Sequence, residues 1–377
     1  MMQVAVHDSL RGDPILGEDA PQRFHPTRFN DRGQALDAMG LPCTESACPH
    51  CRRMLPPGFT ENRHHILSII GDQSAGKSYY LSVLVKVLPA SLYQHFSVVF
   101  QDADPTGNAM LNDMKKTLFS ALAPAQARLV KTQLEGAMYE RLPRHGRMVA
   151  LPRPFVFSLS ATQDVHRRCS VIFYDNAGEH FQPGRDSPDS PGAQHVASSA
   201  GLFFLFDPFN HPEFRRRMEG MADPQMEKPI VDQQDVLLAE LKVRICKLLR
   251  LRLSDRLTTP LAVLAGKCDA WMHLLGQDPF RNPVAGNLLD MNAVRYNSEV
   301  VRNLMLELCP SVVANAETLS ERVMYFPVSS FGHSPVKIAM GDYAPDPRRL
   351  RPVLVEVPSL WVLSLVAPEL VPAWPPG

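Results

Sequence analysis

Short apolar runs, rich in β-branched and aromatic residues and bounded by polar or glycine-containing turns, recur along the chain. They predict strands at His65–Ile70, His95–Gln101, Arg153–Ser160, Cys169–Tyr174, Gly201–Phe206, Leu261–Ala265 and Val323–Val328. Between them, apolar residues at helical spacing predict helices over Tyr79–Leu88, Asn108 to about Tyr139, Val231–Arg252 and Asn292–Leu308, the last stopped by Pro310. The apolar stretch Leu354–Leu370 predicts a final helix from about Pro358, with the proline in its first turn. Strands alternating with helices point to an α/β fold with a mostly parallel sheet. One pair departs from this rhythm: Arg153–Ser160 and Cys169–Tyr174 are separated only by the polar stretch Ala161–Arg168, which is hairpin spacing and predicts one antiparallel strand.

The chemistry collects at the ends of the predicted strands. After His65–Ile70 comes Gly71-Asp72-Gln73-Ser74-Ala75-Gly76-Lys77-Ser78, which reads G-x-x-x-x-G-K-[ST], the Walker A phosphate loop. A strand, a glycine-rich turn and a helix start aim successive backbone N–H groups at one point. Lys77 would reach the β- and γ-phosphates and Ser78 would bind Mg²⁺. After Cys169–Tyr174 comes Asp175-Asn176-Ala177-Gly178-Glu179, an acidic residue where a Mg²⁺-associated carboxylate belongs, with Gly178 suited to a backbone N–H near the γ-phosphate. After Leu261–Ala265 comes Gly266-Lys267-Cys268-Asp269, similar to the N-K-x-D guanine motif but with glycine in the first position. After Val323–Val328 comes the small-residue loop Ser329-Ser330-Phe331-Gly332, a place where backbone groups can touch a base.

Composition narrows the function classes. Of 377 residues 45% are apolar and 21% charged, and Lys+Arg and Asp+Glu both number 39. Such a chain is globular, and its zero net charge predicts no general nucleic-acid or anionic-membrane surface. No apolar run reaches the ~18 residues of a membrane span. The first residues lack a signal-peptide core. Seven cysteines, an odd number, do not make a secreted disulfide framework, so a reducing cytoplasm is expected.

Residues 1–30 are polar and carry Pro14, Pro21 and Pro26, which suggests a flexible tail. Residues 31–64 hold Cys43, Cys48 and Cys51; the C-P-H-C core looks like one knuckle of a zinc ribbon, with His64 or His65 as a fourth Zn²⁺ ligand. The competing readings are a reduced pair of packed cysteines or a metal shared with another chain. Residues 65–370 form the predicted nucleotide-binding domain.

The order GDQSAGKS, DNAG, GKCD and SSFG, each after a strand, with the hairpin just before DNAG, resembles the TRAFAC class of P-loop GTPases. The cysteine knuckle before GDQSAGKSYYL and the DNAGE sequence look most like the double-GTPase group of bacterial conflict systems. The resemblance implies a three-layer P-loop NTPase fold, GTP or GDP and Mg²⁺ as ligands, and a switch acting with partner proteins. It implies Lys77, Asp175, Gly178 and Glu179 as catalytic residues, and Gly71 to Ser78, Lys267, Asp269, Ser329 and Ser330 around the nucleotide. Three departures stand out. Gly266 replaces asparagine, Glu179 stands where many such proteins have glutamine or histidine, and no threonine or serine lies between Gln133 and Phe157, leaving Thr106 and Thr132 as the nearest switch candidates. The alternatives are a non-hydrolysing, nucleotide-stabilised interaction module and an ATP-using P-loop enzyme.

Overall fold

The computed structural model describes residues 1–56, 58–73, 75–129, 139–144, 147–164, 166–176, 192–231 and 234–375. The chain divides into two compact units, Met1–Asn62 with Glu140–Leu151, and Arg63–Tyr139 with Pro152–Gly377.

The larger unit is built on a seven-stranded sheet of β1 (Arg63–Gly71), β2 (Val98–Asp102), β3 (Phe155–Ala161), β4 (Arg168–Asp175), β5 (Gly201–Phe206), β6 (Leu261–Ala265) and β7 (Val323–Pro327). The spatial order is β7-β6-β5-β1-β4-β3-β2. β1 pairs in parallel with β4 and β5, and β5, β6 and β7 continue in parallel. β3 alone runs against its neighbours β4 and β2. The sheet is therefore mostly parallel with one antiparallel strand, next to β4.

Helices cover both faces: α1 (Lys77–Phe96), α2 (Ala109–Ser120), α3 (Gln234–Leu249), α4 (Met291–Leu308), α5 (Pro310–Leu319) and α6 (Val357–Val366). Alternation along β5 sets which side chain faces which layer. Leu202, Phe204 and Phe206 join one core with Leu238, Leu241, Met305 and Val313 of the helices. On the opposite face Gly201 lies so close to α6 that a Cβ would meet Val362 at 2.6 Å. The Phe326 and Trp361 rings pack there at 5.5 Å. Strands buried on both faces explain the unbroken apolar runs.

Two helices depart from expectation. α1 passes through Pro89 and ends at Phe96, because Leu88 and Leu92, four residues apart, are both buried and hold the last turns in place. Pro310 does not only end α4; it sits in the first turn of α5, where its fixed φ suits a helix start and its missing N–H loses nothing. The predicted helix from Asn108 is α2 followed by a short 3₁₀ turn at Pro124–Ala127, and residues 130–138 lie outside the described ones. Tyr139–Arg144 and Arg147–Pro152 then pair as a two-stranded sheet.

In the smaller unit the first 30 residues, expected as a tail, carry short strands. Met2–Val4 pairs with Arg23–Phe24 and with Ser46–Ala47. The Asp37 carboxylate accepts backbone N–H groups of Val6, His7, Met39 and Leu41. Burial works against its charge, but these four donors hold its carboxyl below the usual range.

Among the described residues no helix is long and apolar enough to cross a membrane.

Candidate functional site

The parallel strands β1, β4, β5, β6 and β7 end along one edge of the sheet, and the loops that leave them carry the candidate residues. β1 ends at Gly71, where a Cβ would lie 2.6 Å from the Leu205 carbonyl of β5, so only glycine permits this approach. The chain turns through Gly76, left-handed at φ +95°, and enters α1 at Lys77. An α-helix leaves its first N–H groups without acceptors of its own, and they face this loop. Lys77 is buried, and its ammonium donates to the Gly71 and Asp72 carbonyls at 2.9 and 2.8 Å. Ser74 lies outside the described residues.

The Ser78 hydroxyl donates to Asp175 Oδ2 at 2.7 Å, across the β1–β4 pairing. Asp175 is 1% exposed, and its Oδ1 is buried with no hydrogen-bond partner among the described residues. Burial pushes its carboxyl up, against the opposing pull of Lys77 and Ser78. A buried carboxylate with one unmatched oxygen beside a serine hydroxyl is a donor set that suits a hard divalent cation. Next to it Asn176 donates to the Ile69 carbonyl at 3.1 Å and meets the His195 ring nitrogen at 2.5 Å. Gly178 and Glu179 lie outside the described residues.

A cavity of about 120 Å³ opens beside this loop. Ala75 and Gly76 line one side, Lys267 and Asp269 another, and Ser329, Ser330 and Phe331 a third. Three motifs that lie far apart in the chain thus share one cavity. Asp269 opens the short helix Cys268–Trp271, and burial pushes its carboxyl up while the Ser329 hydroxyl opposes the shift. Gly266 has a specific steric cause: a Cβ would stand 2.9 Å from the Phe206 carbonyl, to which the Gly266 N–H itself donates at 2.9 Å.

Several side chains that hold these loops in place escaped the motif reading. Lys267 donates to Asp207 at 2.7 Å and lies 5.3 Å from the Phe209 ring centre, so the residue after β5 holds it. Asn210 bridges two segments: its amide donates to Asp72 Oδ2 and to the Val231 carbonyl, both at 2.7 Å, and its oxygen accepts the Val231 N–H. Gln234, fully buried, exchanges hydrogen bonds with the backbone of Asp207. The signal available was Asp207-Pro208-Phe209-Asn210 at a buried strand's end, but its partners are distant in sequence. Tyr343, with the Lys228 ammonium 4.4 Å from its ring centre, completes the cavity wall.

Cys43, Cys48 and Cys51 lie in the smaller unit and form no disulfide. Among the described residues no group of three or more His, Cys, Asp or Glu side chains is placed to hold a metal. Cys43 lies near Asp37, its thiol pushed up by burial and then by that carboxylate, while Cys48 and Cys51 neighbour each other. His64 belongs to β1, opposite Ser170 of β4.

No family model matches the chain. Over 196 residues it is 27% identical to a Mycolicibacterium smegmatis protein named "Putative ESX-1 scaffolding and assembly protein SaeC". The matched part is 51% of this chain and 46% of that protein, so the chain spans about half the length of this curated relative.

Proposed function

We propose that this chain is a P-loop protein of the TRAFAC class that binds GTP, hydrolyses it and acts as a nucleotide-dependent switch with protein partners. The observation that carries this reading is the convergence of four strand-end motifs on one edge: Lys77 and Ser78, Asp175, Asp269 and Ser329. Two features of the sheet support the class. β4, whose tip holds Asp175, pairs directly with β1, whereas the AAA-type and RecA-type ATPases place another strand between these two. β3, beside β4, is antiparallel.

In this reading Lys77 exchanges its two carbonyl partners for phosphate oxygens, and the α1 N-terminus adds backbone donors. Ser78 and Asp175 would hold Mg²⁺, which when bound neutralises phosphate charge and orients the transferring group. Asp269 accepts from the guanine ring N–H and amine, and Ser329 and Ser330 close the base cavity. Lys77 stabilises negative charge as water attacks the γ-phosphate in line with departing GDP. The printed name of the mycobacterial relative, a scaffolding and assembly protein, is compatible with work through other proteins.

Affinities for GTP and ATP, with single-turnover hydrolysis on purified protein, test this. Tighter GTP binding with turnover supports the switch. GTP binding without turnover points to a nucleotide-stabilised interaction module, ATP preference to an ATP-using enzyme, and no binding of either overturns the reading.

A further inference from the structure

The chain as a whole is neutral, but its charge is not evenly spread. Residues 241–254, Leu-Lys-Val-Arg-Ile-Cys-Lys-Leu-Leu-Arg-Leu-Arg-Leu-Ser, hold five basic residues and no acidic one. They form the second half of α3 and the turn after it. Residues 247–254 are all exposed. Within them Leu248, Leu249, Leu251 and Leu253 are 42, 46, 38 and 60% exposed, interleaved with Lys247, Arg250 and Arg252. Val236 and Val243, seven residues apart on α3, are also exposed, on the helix face that carries Lys247. Arg244 does not belong to it: it is buried and paired with Glu240 at 2.8 Å. Arg252 is steadied by Asp255 at 3.0 Å and keeps an 84% exposed side chain.

Exposed leucines alone would call for any apolar partner. Leucines and cations projecting from the same turn call for a partner that is apolar beneath and anionic at its surface. A partner helix lying in a groove would instead need apolar anchors at i, i+3, i+4 and i+7. Here the leucines fall at 248, 249, 251 and 253, on a turn where Arg250 is left-handed at φ +56°. A lipid interface needs no such register. We propose that the 247–253 turn docks this protein on an anionic lipid surface, leucines among the acyl chains and cations at the headgroups. This site is separate from the nucleotide reading and does not depend on it.

The test is co-sedimentation of the full chain with vesicles of phosphatidylcholine alone and with about one part in three phosphatidylglycerol. Binding should be roughly tenfold or more stronger on the anionic vesicles and fall with salt. Arg250→Asn with Arg252→Gln should remove most of that preference, asparagine being tolerant of the left-handed backbone. Leu249→Ser with Leu251→Ser and Leu253→Ser should weaken binding to both vesicles by a similar factor. A melting temperature equal to the parent's shows that a variant has lost binding and not folding. Absence of binding to anionic vesicles overturns the proposal, as does parental binding in both variants. Capture of an acidic helical peptide by a chain that ignores vesicles would also overturn it and give this face to a protein partner.

Discussion

Ser78 Oγ donates to Asp175 Oδ2 across 2.7 Å, joining the first turn of α1 to the tip of β4. The contact sits in a buried place where, among the described residues, the carboxylate keeps one unmatched oxygen. A charge held this way costs stability and is retained where a ligand uses it.

Asp175→Asn tests that trade. Burial raises the folded carboxyl's pKa above its ordinary value, so at neutral pH the charge opposes folding. The amide keeps the shape and can still accept from Ser78. Without nucleotide the variant should melt roughly 2–4 °C higher than the parent, about what 1 kcal/mol produces in a domain of ordinary size. As pH falls through the raised pKa, the parent's folded carboxyl takes up its proton before the unfolded chain does, the parent gains stability, and the gap closes. Mg²⁺-dependent nucleotide affinity should fall in the same variant. A lower melting temperature at neutral pH would contradict the first half of the argument.

Lys77→Ala removes an ammonium whose acceptors are two loop carbonyls rather than core groups. Each charge-assisted bond to phosphate is worth about 1.5–3 kcal/mol. GTP affinity should fall about a hundredfold or more by calorimetry, with a melting temperature close to the parent's. Parental affinity would reject the phosphate assignment.

The parallel strands were legible because each is buried on both faces and reads as an unbroken apolar run; Gly201–Phe206 and Leu261–Ala265 match their predicted bounds. The antiparallel β3 was legible from the short polar link to β4. Pro89 misled, because proline's local cost was weighed without the packing of Leu88 and Leu92 that outweighs it; Pro310 ended α4 where expected, but the start of α5 at the same proline went unread. In the candidate site, motif residues stood out because each follows a strand directly. Asp207, Asn210 and Gln234 did not, because a lone polar side chain acquires a role only through its partner: Asp72 is 138 residues from Asn210. The cysteine spacing suggested zinc but could not show that Cys43 lies by Asp37, because that carboxylate is placed by the backbone donors it accepts from.

Asn210→Ala should release Asp72 in the loop and Val231 before α3 together. Three lost hydrogen bonds, one of them to a carboxylate, at about 1 kcal/mol each, should lower stability by ~3 kcal/mol and weaken nucleotide binding about tenfold. Denaturant unfolding and calorimetry read the two effects. A change in stability with unchanged affinity would confine Asn210 to a structural role.

Asp269→Asn addresses base choice. In the proposed reading the buried Asp269 carboxylate selects guanine, because the wrong base would leave it unpaired in a closed site. The amide can donate to the xanthine carbonyl that replaces guanine's amine, so XTP should rise above GTP in competition binding. Were Asp269 merely a loop-stabilising residue, stability would change and the order of GTP, XTP and ATP would not.

Gly266→Asn would complete the N-K-x-D motif on paper. The backbone argues against any gain. A Cβ at Gly266 stands 2.9 Å from the Phe206 carbonyl, a backbone atom tied to Gly266 N–H and unable to move without parting β5 from β6. Lys267, the next residue, is already held by Asp207 and needs no asparagine to orient it. The substitution should cost about 1–3 kcal/mol of stability, and GTP affinity should fall or stay level. Gly266→Ala separates the two causes, because it brings the same Cβ without the amide. Equal losses in both variants assign the cost to the contact with Phe206. Tighter GTP binding by Gly266→Asn at parental stability would show that β5 and β6 can yield there and that the steric account of this glycine is wrong.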